Sequence, residues 1–248
     1  VKRFAGALGI IGLVAVWWLL AAIGVAGGTV PSPWEVLRTM YSDGWALYGP
    51  NFEITAIGAL KGFLWGNALA IGLALLVMLI PPIESLATQL AILSYCTPLL
   101  ALGPIILVVF GGRTPTVFLA AMYCFFTTMV GTVSGLRSAD PTSLDLVRAY
   151  GGGRWQQLYR VRVIAALPST FAALKIAAPS AVLGAIIGEY LGGVDSGIGV
   201  ALTAAQTSYN VPRTWGMAIA AAALAGLGYA VVALTARLAA PWTAEAAR

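Results

Sequence analysis

Histidine is absent from all 248 residues, which excludes imidazole metal sites and histidine-based acid–base chemistry. Charge is scarce as well: Asp, Glu, Lys and Arg make up 9% of the chain, where a soluble domain carries roughly a quarter. There are only two cysteines, Cys96 and Cys124. Each lies inside an apolar run and is expected to pack as a small buried thiol rather than in a disulfide or metal pair. The glycine run Gly151 to Gly153 lacks the Gly-Lys-Ser/Thr ending of a phosphate-binding loop and has no strand before it, so ATP binding by this chain is not expected. Gly197 and Gly199 are likewise too short a motif for a dinucleotide site and read as a loop turn. Paired carboxylates and a nucleophile–base constellation are missing, which argues against an intramembrane enzyme. A self-contained secondary transporter or channel is a competing class; the lack of an internal repeat and the few charges within the apolar runs count against it.

What is present is apolar. Hydrophobic residues make up 60% of the chain and the mean hydropathy is +0.89, the composition of an all-α polytopic membrane protein. Six spans are expected, at about residues 7–27, 54–80, 86–110, 115–136, 166–188 and 214–236 of a single transmembrane domain. The stretch 28–53 reads as a polar connection punctuated by proline and glycine, with Trp34, Trp45 and Tyr48 suited to an interfacial belt. Pro98 and Pro104 predict a kink in the third span. Leu202 to Thr207 is expected to form a short re-entrant helix.

One polar island interrupts the second half of the chain, from Arg137 to Pro168. Asp140 is a good N-cap and Pro141 occupies the first helical position, where its missing N–H costs nothing. Leu144, Val147 and Tyr150 recur at helical spacing; the three glycines end that helix, and Arg154 and Trp155 begin a second short one. Five basic and two acidic residues gather between Arg137 and Arg162. A charged helix pair held between two spans is a docking platform.

Orientation follows from counting. With the N-terminus inside, six spans return the C-terminus and the 137–162 loop to the same side. Nine basic residues (Lys2, Arg3, Arg137, Arg148, Arg154, Arg160, Arg162, Arg237 and Arg248) then face the cytoplasm, and three (Arg38, Arg113 and Arg213) face out. Both termini and the platform are expected to be cytoplasmic. Asn67, Ser94, Thr97, Tyr123, Thr127, Glu189 and Gln206 are the polar groups best placed to line a pathway, although serine and threonine in spans commonly satisfy a helix carbonyl instead. Glu189 reads equally as a gate or substrate-contact residue and as a structural group hydrogen-bonded to a neighbouring helix or loop.

The island resembles the cytoplasmic signature loop of the permeases of bacterial ABC importers. D-L-V-R-A-Y-G from Asp145 to Gly151, the Arg154, Trp155, Gln156 triplet and A-A-L-P from Ala165 to Pro168 carry the resemblance, which is nearest to the nitrate/sulfonate/taurine subgroup. P-S-P from Pro31 to Pro33 with Val36, Gly62 with Phe63, Ala101 to Pro104, Glu189, and Gly197 with Gly199 fall in the same order, so the similarity covers roughly 29–242. Asp145 departs from the family's Glu, and Leu146 and Val147 replace its two alanines.

This resemblance implies a six-span type I importer permease in the bacterial inner membrane with a cytoplasmic coupling helix. The implied partners are two ABC ATP-binding subunits, a second permease copy or sister permease, an extracytoplasmic substrate-binding protein and the lipid bilayer, with no nucleic acid. ATP and Mg would be bound by the partner ATPase subunits, and no cofactor by this chain. Leu144, Asp145, Val147, Arg148, Tyr150, Gly151, Arg154 and Trp155 would carry the coupling, with Leu144, Val147 and Tyr150 filling the partner's groove.

Overall fold

The computed structural model describes residues 2–96, 98–191 and 193–239. Among the described residues ten α-helices run in order: α1 (Lys2–Ala22), α2 (Pro33–Leu79), α3 (Glu84–Cys96), α4 (Leu99–Phe110), α5 (Thr114–Arg137), α6 (Pro141–Ala149), α7 (Arg154–Gln157), α8 (Val163–Leu191), α9 (Ile198–Thr207) and α10 (Val211–Ala239). A π-helical turn, Leu158–Arg162, joins α7 to α8, so Arg154–Leu191 is one continuous helix of 38 residues. Among the described residues four helices are long and apolar enough to cross a membrane: Pro33–Leu79, Thr114–Arg137, Arg154–Leu191 and Val211–Ala239.

Helix α2 starts earlier than the sequence reading placed it. Ser32 and Glu35 form a reciprocal capping box: the Glu35 amide donates to Ser32 Oγ at 3.2 Å and the Ser32 amide to Glu35 Oε2 at 2.8 Å, with Pro33 in the first turn. These groups, read as a connection, nucleate a helix instead. The helix breaks at Gly44, whose φ of 63° only glycine adopts cheaply, and then runs on through Pro50. The expected third span is divided at Pro98 into α3 and α4, because proline cannot donate the helical hydrogen bond and restricts the residue before it. Within the island, the second short helix is the beginning of the expected fifth span rather than a separate piece, since the π turn Leu158–Arg162 carries α7 into α8 without a break. Helix α9 is present and begins at Ile198, four residues before the position expected.

The interior is built on α5, which lies between α2 and α8, with α10 closing over α2 and α8. Small residues allow this. A Cβ added at Gly62 would lie 2.3 Å from Ala120 Cβ, and one at Gly66 would lie 2.4 Å from Ala121 O. On the other flank, a Cβ at Gly184 would meet Leu119 O at 2.7 Å and one at Gly188 would meet Thr116 Cα at 2.6 Å. Backbone-to-backbone approach of this kind is how helices associate where lipid removes the hydrophobic drive between them. Large apolar residues such as Leu60, Leu64, Leu69, Ile176, Leu183 and Leu234 point outward, as bilayer contact requires.

Helix α1 is tied on by tryptophans. Trp17 stacks on Trp215 at 5.4 Å between ring centroids; their indole N–H groups donate to Pro31 O and Thr29 O. Cys124 is buried and Cys96 is exposed, so only one of the two expected buried thiols is inside; both are free. Cys96 ends α3, just where the break at Pro98 opens the helix.

Candidate functional site

The platform is stabilised at both ends by its own sequence. Asp140 caps α6, accepting from the amides of Thr142 at 3.3 Å and Ser143 at 3.0 Å and from the Ser143 hydroxyl at 2.9 Å. These hydrogen bonds, the Ser143 hydroxyl first, hold its carboxyl below the ordinary range. At the other end Gly151 has φ 76°, its amide donates to Arg148 O and the Gly152 amide to Val147 O, both at 2.8 Å. This is a Schellman termination, which needs glycine at the left-handed position. Gly153 then donates to Gln156 Oε1 at 3.0 Å to begin α7.

The two-helix unit is anchored beneath. Arg162, in the π turn, donates to Leu136 O at 3.1 Å, capping the last turn of α5. Arg137 forms a salt bridge with Glu84, at the start of α3. Arg162 is therefore engaged within the chain.

The face offered outward differs from the expected one. Leu144 is only 8% exposed and packs into the chain; Val147 is half-buried; Tyr150 is 86% exposed. Leu146, Trp155 and Tyr159 join Tyr150 outside. Leu144 thus holds α6 down, and Leu146 takes the outward place. Asp145 and Arg148 are both exposed and paired with each other at 2.9 Å, while Arg154 and Arg160 are exposed. The outer face is apolar and aromatic with a basic rim.

Among the described residues the expected pathway residues do not form one cluster: they are divided between α2, α3, α5, α8 and α9. Asn67 is buried, donating to Phe63 O at 2.6 Å and accepting from the Thr128 hydroxyl at 2.5 Å, an α2–α5 contact. Tyr123 and Thr127 are half-buried on α5, and Gln206 is exposed on α9. Ser94 belongs to α3, but its side chain and all of Thr97 fall outside the described residues.

Glu189 is the exception. It is 2% exposed at the end of α8, its carboxylate accepting from Thr55 Oγ1 at 2.8 and 2.9 Å and from the Gly199 amide at 3.0 Å. Thr55 Oγ1 also accepts the Ile198 amide at 2.8 Å, and Asn51 Oδ1 accepts the Gly197 amide at 2.8 Å. Three successive amides opening α9 are each taken by a side chain of α2 or α8. The carboxylate is thus hydrogen-bonded to a neighbouring helix and to the start of α9. The sequence reading missed Asn51, Thr55, Leu146 and Tyr159; the spacing of Asn51 and Thr55, four apart on one helix face, was the available signal.

The model of the family described as binding-protein-dependent transport system inner membrane component matches residues 62–245. The formylaminopyrimidine transport permease protein ThiX of Halalkalibacterium halodurans is 27% identical over 231 residues, 93% of this chain and 92% of that protein. The riboflavin transport system permease protein RibX of Chloroflexus aurantiacus is 32% identical over 164 residues, 65% of this chain and 60% of its own length. A Bacillus subtilis protein assigned to aliphatic sulfonates transport, SsuC, is 27% identical over 200 residues, 75% of this chain and 68% of its own.

Proposed function

The chain belongs to the family of binding-protein-dependent transport system inner membrane components, and on that premise we propose that it is the permease subunit of an ATP-driven importer, paired with a second permease to enclose the path of a small organic or anionic solute. Six crossings are made by α1, α2, α3 with α4, α5, α7 with α8, and α10. The platform faces the cytoplasm, in keeping with nine basic residues against three. Two ATP-binding subunits carry ATP and Mg, and an extracytoplasmic binding protein delivers the solute. The relatives named for formylaminopyrimidine, riboflavin and aliphatic sulfonates transport support an organic solute.

The observation that carries this reading is the α6–α7 platform. A nine-residue helix, capped at both ends and exposing Leu146 and Tyr150, stands between two membrane-length helices. A soluble partner that grips it and closes on ATP moves it, and the attached helices tilt between inward- and outward-open states.

Co-purification of the chain with its ATP-binding subunit from detergent tests this. Leu146→Asp and Tyr150→Asp are expected to release that subunit while the membrane helices stay inserted. ATP-driven uptake at the unmodified rate in both variants, or uptake with no ATP-binding subunit present, rejects the reading.

A further inference from the structure

The helix Arg154–Leu191 has the platform at one end and Glu189 at the other. Its 38 residues make a rod about 57 Å long, at 1.5 Å per residue, against about 30 Å of hydrocarbon. Beyond Glu189 the chain turns through Gly193 at φ 57° and Gly197 at φ 133° before α9 begins. Such a turn cannot by itself fix where α9 points, because glycine leaves the backbone several accessible conformations. Side chains fix it instead.

Glu189 reaches back to the Gly199 amide, inside the first turn of α9, with its carboxylate oriented by Thr55. The fit leaves no slack: a Cβ at Gly197 would sit 2.3 Å from the Glu189 carboxyl carbon, and one at Gly199 would sit 2.4 Å from Ile186 O. The turn before α9 is tied sideways too, Arg113 donating to Ser196 Oγ at 2.6 Å.

We propose that Glu189 is a positioning residue for transport: it makes α9 follow the rod, so that displacement of the platform is delivered to α9 at the other end of the molecule. The proposal rests on the permease reading above. A buried carboxylate is costly unless fully hydrogen-bonded, and here its partners are the backbone of the helix to be moved and one hydroxyl of α2. Loss of the clasp uncouples α9 from the rod, while the platform stays as it was, because among the described residues the side-chain hydrogen bonds of Glu189, Thr55 and Asn51 run within and between α2, α8 and the start of α9 and none reaches α6.

The experiment uses the complete transporter in lipid nanodiscs, carrying Cys96→Ser and a reporter thiol at Thr207→Cys, exposed near the end of α9. Maleimide labelling of that thiol is followed with ADP and with a non-hydrolysable ATP analogue. The two rates are expected to differ by about tenfold, and that ratio to fall to about one in Glu189→Gln and in Thr55→Val, near-isosteric changes that leave helix packing intact. In both variants the ATP-binding subunit stays bound and hydrolyses ATP, now without matching uptake. A ratio preserved in both variants overturns the proposal, as does a ratio of one in the parent or a loss of ATP-binding subunit from the variants. A parent chain that holds no ATP-binding subunit at all rejects the permease reading first, and the linkage with it.

Discussion

Arg213 grips Asp43 through a two-pronged ion pair, Nε to Oδ2 at 2.7 Å and Nη2 to Oδ1 at 2.5 Å. The pair joins the first turn of α10 to the short leg of α2 before the Gly44 break. Asp43's side chain is 9% exposed and takes both prongs of the fork, while the Arg213 side chain stays 36% exposed. Arg213→Lys keeps the charge but loses the fork. It is expected to lower stability by about 1 kcal/mol, and Arg213→Ala by about 2 kcal/mol, less than a fully buried pair because solvent reaches the guanidinium. Melting in detergent, combined with Asp43→Asn in a double-mutant cycle, measures the coupling.

The α2–α5 seam makes a sharp contrast between glycines of one helix. Gly62→Ala drives a methyl into Ala120 and Val117 O and is expected to cost about 2 kcal/mol or more, and Gly62→Leu to prevent assembly. Gly72 has nothing within 4 Å of its added Cβ, and Gly72→Ala is expected to be neutral or mildly stabilising. Equal effects in thermal unfolding would show that the seam is not closely packed.

Gly151 terminates α6 at a left-handed φ of 76°. Gly151→Ala strains the left-handed position by about 1 kcal/mol, and Gly151→Pro also removes the donor to Arg148 O. The proline variant is expected to lose the ATP-binding subunit in co-purification, and the alanine variant to retain most of it.

Acid loosens the same helix at its other end. Asp140's carboxyl titrates below its unfolded value, so its contribution is complete above roughly pH 4 and is lost as the pH falls through the lowered folded value. Asp140→Asn keeps a cap and removes that dependence. Amide exchange at Thr142 and Ser143, measured from pH 6 down to about pH 3, is expected to show loss of protection in the parent only.

The thiols divide by burial. Cys124 is fully buried, its sulfur within 3.0 Å of Ala120 O and 3.4 Å of Ala177 O, whereas Cys96 is exposed. One maleimide per native chain, at Cys96, is the expected mass-spectrometric result.

Much of the platform was legible because its determinants are local. Asp140, Pro141 and the glycine run act over five residues or fewer, so the cap and the termination appear in the sequence as they appear in the fold. The face of α6 was not legible. Leu144, Leu146 and Val147 are all apolar, and which of them turns inward depends on the chain beneath the helix, not on the helix. The start of α2 was missed for another reason: Pro33, Gly44 and Pro50 resemble loop punctuation, yet the Ser32–Glu35 box makes Pro33 a helix start and the break at Gly44 lets the helix resume.

The amino-acid sequence by itself determined that this chain lives in a bilayer, because so little charge over so long an apolar chain has no other stable solvent. It also determined that a capped polar helix interrupts the spans, since capping is settled by near neighbours. Only the tertiary structure decided that Glu189 closes on Thr55 and Gly199, that α5 is held between glycines of two helices, and that Leu146 rather than Leu144 faces out. Those outcomes join residues as far as 134 positions apart, and a side chain's burial is fixed by what packs against it, which no local pattern contains.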